Sequence, residues 1–310
     1  MKVLILGSNG LVGSSLVRIL SKNKEYDEVI PSNRETLDLF KFDNVQDYIG
    51  DLQPDVIINA AAKVGGILAN NTYRADFILD NLKINVNLLE ALIPFSDIKL
   101  INLGSSCIYP LNAKNPIKEE YIMTGELEST NSPYAMAKLT AIELGNSLKS
   151  QYGHKVINLM PTNLYGPNDN FSDKESHVIP GLMGRMHKSK IEGLNEFEVW
   201  GTGNPLREFL YVDDLANAIS FIIDNNIEDE LINIGSNQEI SIKELVNSLI
   251  EVITYKGEVK FNDNYPDGNP RKLLDSSKIS SYGWKPQIQI QEGLKLTYQW
   301  YLENINKTFS

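Results

Sequence analysis

A doubly wound parallel α/β sheet with a smaller C-terminal α/β lobe is the fold this sequence predicts. Three observations carry it. Short apolar runs alternate with amphipathic helical stretches through the first half, the pattern of a parallel sheet covered by helices on both faces. A glycine-rich segment lies between the first of these runs and the first helical stretch. After Leu159 the alternation loosens into an irregular stretch over Pro161 to Pro167 and a polar loop through Ser176, and α/β patterning resumes further on.

The run KVLIL at Lys2–Leu6 has the length and composition of a buried parallel strand. Gly7-Ser8-Asn9-Gly10-Leu11-Val12-Gly13 follows, and Val12, Leu16, Ile19 and Leu20 then fall on one helical stripe. A glycine-rich turn between strand and helix lets backbone N–H groups approach a pyrophosphate at the positive end of the helix dipole. Its spacing is GxxGxxG, and its position marks Gly7 to Gly13 as the dinucleotide cradle of a Rossmann-like sheet. Residues 55–59 and 99–103 are expected to be further strands, and 74–93 and 134–152 long helices. Ser132 suits an N-cap and Pro133 the first helical position, which places Tyr134 in the first turn. Residues 156–159 form the next expected strand. The main boundary is expected after it, giving a dinucleotide-binding domain over 1–170 and a second domain over 171–310. Parts of 207–237 (residues 209–223 and 231–234) are expected to rejoin the first sheet, and Ser241 with Glu244 has the spacing of a capping box.

Composition excludes several functions. With 29 Lys and Arg against 40 Asp and Glu, the formal charge is 29 − 40 = −11. That argues against a general nucleic-acid or anionic-membrane binder, so an anionic ligand must be met by local arginines and helix termini. Cys107 is the single cysteine, which rules out an intrachain disulfide and a cysteine-rich metal site, and no metal is expected. No stretch approaches the ~20 apolar residues that span a bilayer. Met1 leads straight into the first strand, so no signal peptide is expected and the location is read as cytoplasmic.

The chemistry begins with Tyr134 and Lys138. Residues at i and i+4 share one helix face, so the ammonium can sit beside the phenol. A nearby cation is expected to lower the phenol's pKa from about 10. The hydroxyl of Ser105 is then placed to orient a substrate carbonyl against it.

With Gly7-to-Gly13, Ser105 and Tyr134/Lys138 in place, the chain resembles the extended short-chain dehydrogenases/reductases of nucleotide sugars. Longer strings are similar to the GDP-L-fucose synthase family within that group: Ala60 to Ile67, Leu103 to Pro110, Met160 to Pro167, Ser176 to Pro180, Val199 to Gly203 and Pro270 to Asp275. They run in order along the whole chain. The resemblance implies a Rossmann-like domain and a smaller nucleotide-sugar-binding domain. It also implies epimerisation at C3 and C5 of GDP-4-keto-6-deoxy-D-mannose and reduction at C4 with NADPH. Tyr134 would stabilise the enolate and protonate O4, Lys138 would tune it and hold the nicotinamide ribose, and Ser105 would bind O4. Cys107 and His177 would serve as the acid and base that invert the carbon centres. Ser8, Asn9, Gly10, Leu11 and Val12 with the flanking glycines, Pro161 and Asn163 would contact cofactor, Asn163 reaching substrate as well. An Arg after the second strand accommodates a 2′-phosphate where an acidic residue would favour NAD. Arg34 occurs there with no carboxylate before Glu35, so NADP is expected. Arg185, Arg207 and Arg271 are candidates for the diphosphate, since guanidinium grips phosphate oxygens bidentately, and Trp200 is a flat surface for sugar or base. Tyr211 stands where a histidine is frequent and is not expected to be catalytic. A homodimer is implied, built on the helix from Arg74 and the helix holding Tyr134. The alternative is a C4 reductase of another GDP-keto-deoxy sugar, a heptose included, with little epimerase activity. A 4,6-dehydratase is disfavoured because Ser106 and Cys107 occupy the place of its Asp/Glu pair.

Overall fold

The computed structural model describes residues 1–172, 175–265 and 267–308. The chain opens with β1 (Lys2–Leu6), α1 (Leu11–Leu20), β2 (Glu28–Ser32), α2 (Phe42–Leu52) and β3 (Val56–Asn59). It continues through α3 (Ile67–Thr72), α4 (Arg74–Ala91), β4 (Lys99–Leu103), α5 (Ser132–Tyr152) and β5 (Lys155–Pro161). After β6 (Asn163–Tyr165) come α6 (Val178–Ile191), β7 (Glu196–Trp200), β8 (Leu206–Tyr211), α7 (Val212–Asp224) and β9 (Leu231–Ile234). The last elements are β10 (Glu239–Ser241), α8 (Ile242–Ile253), β11 (Glu258–Asn262), β12 (Arg271–Lys272), α9 (Ser277–Ser281) and α10 (Ile290–Thr308).

Six strands pair in parallel in the order β2-β1-β3-β4-β5-β9. Both faces are covered, as the continuous apolar runs require. Leu16 and Leu20 of α1 and Leu215, Ile219 and Ile222 of α7 pack on one face. Ile49 of α2, Ile84 and Leu88 of α4 and Leu148 of α5 pack on the other. The connection from β1 leaves towards β2 and that from β3 leaves the other way towards β4, so a crevice opens beyond the carboxyl ends of β1 and β3, where α/β sheets bind ligands. Three buried amides pin the register there. Asn59 donates to Asn102 (3.0 Å), and Asn102 donates to Asn158 (3.3 Å), across neighbouring strands. A shifted register would leave these amides unpaired in the interior.

A second core gathers Tyr165, Phe171, Met183, Met186, Leu245, Leu249, Tyr298 and Tyr301. It sits around β8, which pairs with β6, β10 and β12, while β7 pairs with β11. Only α7 and β9 of the 207–237 segment return to the first sheet; β8, residues Phe209 to Tyr211 included, goes to the second. Residues 163–165, expected as loop, form β6 because β8 offers them a parallel edge. Glu208 at the centre of β8 is wholly buried and accepts the N–H groups of Asn237 (2.8 Å) and Leu274 (3.1 Å). It thereby fixes β8 against the exit of β9 and the chain after β12. The Ser241–Glu244 capping box forms at the start of α8. At α5, however, Asn131 takes the N-cap position and Ser132 and Pro133 are already helical; Tyr134 remains in the first turn.

Candidate active site

The crevice begins at the turn after β1. Gly7 has φ +78°, and a Cβ there would lie 2.8 Å from the backbone N and Cα of Ala61. A Cβ on Gly13 would lie 2.1 Å from the Gly7 carbonyl oxygen. Both glycines are therefore demanded by contact, since any side chain would force strand, turn and helix apart. Gly10 is the N-cap of α1 and carries no side-chain cap. The N–H groups of Leu11, Val12 and Gly13 begin the helix without intrahelical carbonyl partners, which makes this end an anion seat. Arg34 lies two residues beyond β2, exposed, with its guanidinium 5.0 Å above the Phe40 ring. Pro161 closes β5, and Asn163 on β6 turns its amide to the Glu208 carbonyl at 2.9 Å. Glycine cradle, open helix end and lone arginine fit a dinucleotide with a 2′-phosphate.

The reactive groups gather at the end of β4. Ser105 is extended, and its Oγ accepts the N–H of Cys107 at 3.3 Å, opening a short turn over Ser106–Ile108. Tyr134 and Lys138 face this turn from α5. Phe77 of α4 packs edge-on to Tyr134, with ring centroids 6.4 Å apart at 79°. Lys138 is 2% exposed and donates from Nζ to the Leu103 carbonyl at 2.7 Å, leaving the ammonium 5.8 Å from the centre of the Tyr134 ring.

This corrects the expected electrostatics. In the free protein the ammonium is committed to Leu103, and burial, reinforced by Cys107, pushes the Tyr134 phenol above its ordinary value. The phenol is thus held in the protonated form, which is the form that can donate to a carbonyl oxygen. Burial lowers Lys138 to about 8, only partly opposed by Cys107. Burial also raises the Cys107 thiol, against the pull of Lys272, Ser105 and Lys138. Cys107 is thus within electrostatic reach of Tyr134, Lys138 and Lys272.

His177 is the N-cap of α6, reached through the loop that Gly66 holds by donating its N–H to Glu175 O at 2.9 Å. It is exposed, so the lowering that neighbouring protein imposes on its imidazole is damped by solvent.

Of the C-terminal cations, the structure separates Arg271 from Arg207. Arg271 is exposed and engages Glu239 bidentately, Nε at 2.8 Å and Nη2 at 2.6 Å. It is therefore already paired, and the neighbour Lys272 is the residue in the cleft. Successive strand residues point to opposite sides, and Lys272 is the register partner of Arg207 across β8 and β12. Two cations opposite one another repel; each is lowered by burial, and Arg207 depresses Lys272 further. This pair calls for an anion. Lys272 was missed in the sequence, although the alternation beside Arg271 could have pointed to it. Arg185 of α6 lies 5.0 Å from the Trp200 ring centre, and Trp200 stacks on Tyr265 at 5.0 Å and 21°. Arg185 and Trp200 thus form one platform at the end of β7, apart from the Tyr134 cluster in the fold.

Among the described residues no group of His, Cys, Asp and Glu forms a metal site, and no helix is long and apolar enough to cross a membrane.

A dinucleotide cradle beside a half-buried tyrosine paired with a buried lysine defines an oxidoreductase of the Rossmann type. The NAD dependent epimerase/dehydratase family matches over residues 3–235, and the chain belongs to that family. GDP-L-fucose synthase 1 of Arabidopsis thaliana is 47% identical over 98% of this chain and 94% of its own. Among solved structures, a GDP-6-OMe-4-keto-L-xylo-heptose reductase from C. jejuni superposes with TM-score 0.90 at 32% identity, covering 98% of both chains. A GDP-L-fucose synthetase from Naegleria fowleri bound to NADP superposes with TM-score 0.89 at 28% identity, covering 98% of this chain and 94% of the other.

Proposed function

We propose that this protein converts GDP-4-keto-6-deoxy-D-mannose to GDP-L-fucose, inverting C3 and C5 and reducing C4. The observation that carries this reading is Cys107 in the short turn opened by Ser105, against α5, which holds Tyr134 and Lys138. A simple reductase needs no such group. Protons α to a ketone leave because the enolate spreads onto the carbonyl oxygen, and Tyr134 with Ser105 is placed to stabilise that oxygen. Cys107 as thiol and His177 as neutral imidazole provide one donor and one acceptor for the carbon centres. Bound NADPH supplies the hydride for C4. Tyr134 holds the proton for O4, and Lys138 reaches the ribose from the floor of the cleft. Arg207 and Lys272 take the diphosphate, and Arg185 with Trp200 takes a more distal part of the nucleotide. In this reading residues 1–170 with parts of 207–237 serve the cofactor and 171–310 serve the nucleotide sugar, in a cytoplasmic enzyme.

Cys107→Ser tests the carrying observation. It is expected to slow solvent exchange at C3 and C5 far more than reduction of a ketone already inverted at both centres. Equal losses in the two steps would remove Cys107 from the epimerase chemistry. The likeness to the C. jejuni heptose reductase favours one other reading, C4 reduction of a GDP-keto-heptose without inversion. Reduction with no exchange would establish it.

Arg34→Ala tests the cofactor. A charge-assisted contact contributes about 1.5–3 kcal/mol, so NADPH should lose about 10- to 100-fold in kcat/KM while NADH is little changed. An unchanged ratio of NADPH to NADH would place the 2′-phosphate elsewhere.

We also propose a homodimer through α4 and α5. Leu79 and Val86 on α4 and Met136 on α5 are exposed at 52%, 37% and 46%, an apolar face on paired helices. Sedimentation should show a dimer; a monomer at all concentrations would contradict it.

A further inference from the structure

The turn that carries Gly65 and Gly66 touches both ends of the cleft. Asn70 of α3 is 4% exposed and donates from Nδ2 to the carbonyls of Gly65 (2.7 Å) and Gly66 (3.1 Å), which fixes the turn. On one side a Cβ at Gly65 would lie 3.1 Å from the ring of Phe77, the residue packed on Tyr134. On the other side Gly66 donates its N–H to Glu175 O, and a Cβ at Gly66 would lie 2.5 Å from Ser176 O. Glu175 and Ser176 are the two residues before His177. From there the chain enters α6, with Gly181 donating to His177 O at 3.0 Å.

We infer that the Gly65–Asn70 turn sets the position of His177 relative to Tyr134, making Gly66 and Asn70 positioning residues for proton transfer at carbon. The inference rests on the epimerase reading of His177. Gly66 has φ −66° and ψ 179°, a conformation open to any residue, so its requirement for glycine comes from the contact with Ser176 and not from the backbone. Ordinary van der Waals contact begins near 3.4 Å, so an alanine would push the Ser176 carbonyl away by about 0.9 Å. A displacement of that size at a reacting group costs about 100-fold in rate. Hydride transfer at C4 uses Ser105 after β4 and Tyr134 on α5, which neither the Gly66 contact with Ser176 nor the Asn70 hydrogen bonds involve.

The test compares Gly66→Ala and Asn70→Ala with His177→Asn in the full-length enzyme. Two rates are read: deuterium incorporation at C3 and C5 of GDP-4-keto-6-deoxy-D-mannose, and NADPH-dependent reduction of the ketone already inverted at both centres. Exchange should fall about 100-fold in Gly66→Ala, and about tenfold in Asn70→Ala, which loses the two hydrogen bonds holding the turn. Reduction of the inverted ketone should stay at the wild-type rate in both. Asn70→Ala leaves every backbone contact in place and decides the matter should Gly66→Ala not fold. Equal losses in both steps, or none in either, would overturn the inference. Full exchange in His177→Asn would instead sink the epimerase role of His177 itself.

Discussion

Tyr134→Phe is expected to lower C4 reduction by about a thousandfold, within the 10²–10⁴ range for a positioned proton donor. The ring and its edge-on contact with Phe77 survive the change, so the fold and NADPH affinity should be retained. Exchange at C3 and C5 should fall as well, because the same hydroxyl stabilises the enolate oxygen. The free protein raises this phenol by burial, so it enters the reaction already protonated. Below the raised value the donor form does not vary, and a basic limb set by Tyr134 should be absent from the free-enzyme profile up to about pH 10, its ordinary pKa. Stopped-flow NADPH oxidation measured against pH checks both statements. A rate for Tyr134→Phe within tenfold of wild type would mean that another group protonates O4.

Lys138→Met is expected to abolish turnover while making the free protein more stable. Lys138 is 2% exposed, and burial moves its pKa from 10.5 to about 8, which corresponds to about 3 kcal/mol against folding at neutral pH. The lost charge-assisted hydrogen bond to Leu103 O offsets about 2 kcal/mol of the gain. A net of about 1 kcal/mol should raise Tm by about 2 °C in a chain of this size. The sign with pH follows from proton binding. Between about 8 and 10.5 the unfolded lysine is protonated and the folded one is not, so wild-type stability rises with pH across that window. The advantage of methionine is therefore full below pH 8 and shrinks towards pH 10.5. Thermal unfolding at neutral pH and near pH 10 reads this directly. A variant less stable than wild type at neutral pH would show that the buried ammonium is better compensated than its single hydrogen bond indicates.

Much of the cofactor half was legible because its signals are local. The runs at Lys2–Leu6 and Lys99–Leu103 are mostly apolar and became β1 and β4 with the expected limits. Gly7, Gly10 and Gly13 announced a tight strand-to-helix turn, and Ser241 with Glu244 announced its cap. What failed depended on distant partners. Phe209 to Tyr211 reads as a buried strand, but its sheet is chosen by β6, β10 and β12, which are short and weakly patterned. Arg271 reads as a phosphate ligand in the sequence, which does not show that Glu239 on β10, beyond β8, pairs with it in the free protein. The same two-residue strand turns Lys272 inward beside Arg207, a distinction of side that composition does not carry. The i,i+4 spacing correctly set Tyr134 and Lys138 on one helix face, yet it could not reveal that the Leu103 carbonyl would claim the ammonium first.

Incubation with GDP-4-keto-6-deoxy-D-mannose and NADPH in D₂O, with the product read by NMR, tests the central claim most directly. The expected product is GDP-L-fucose carrying deuterium at both C3 and C5. A product reduced at C4 with protium at both carbons would contradict it, leaving Cys107 and His177 without a role in the chemistry.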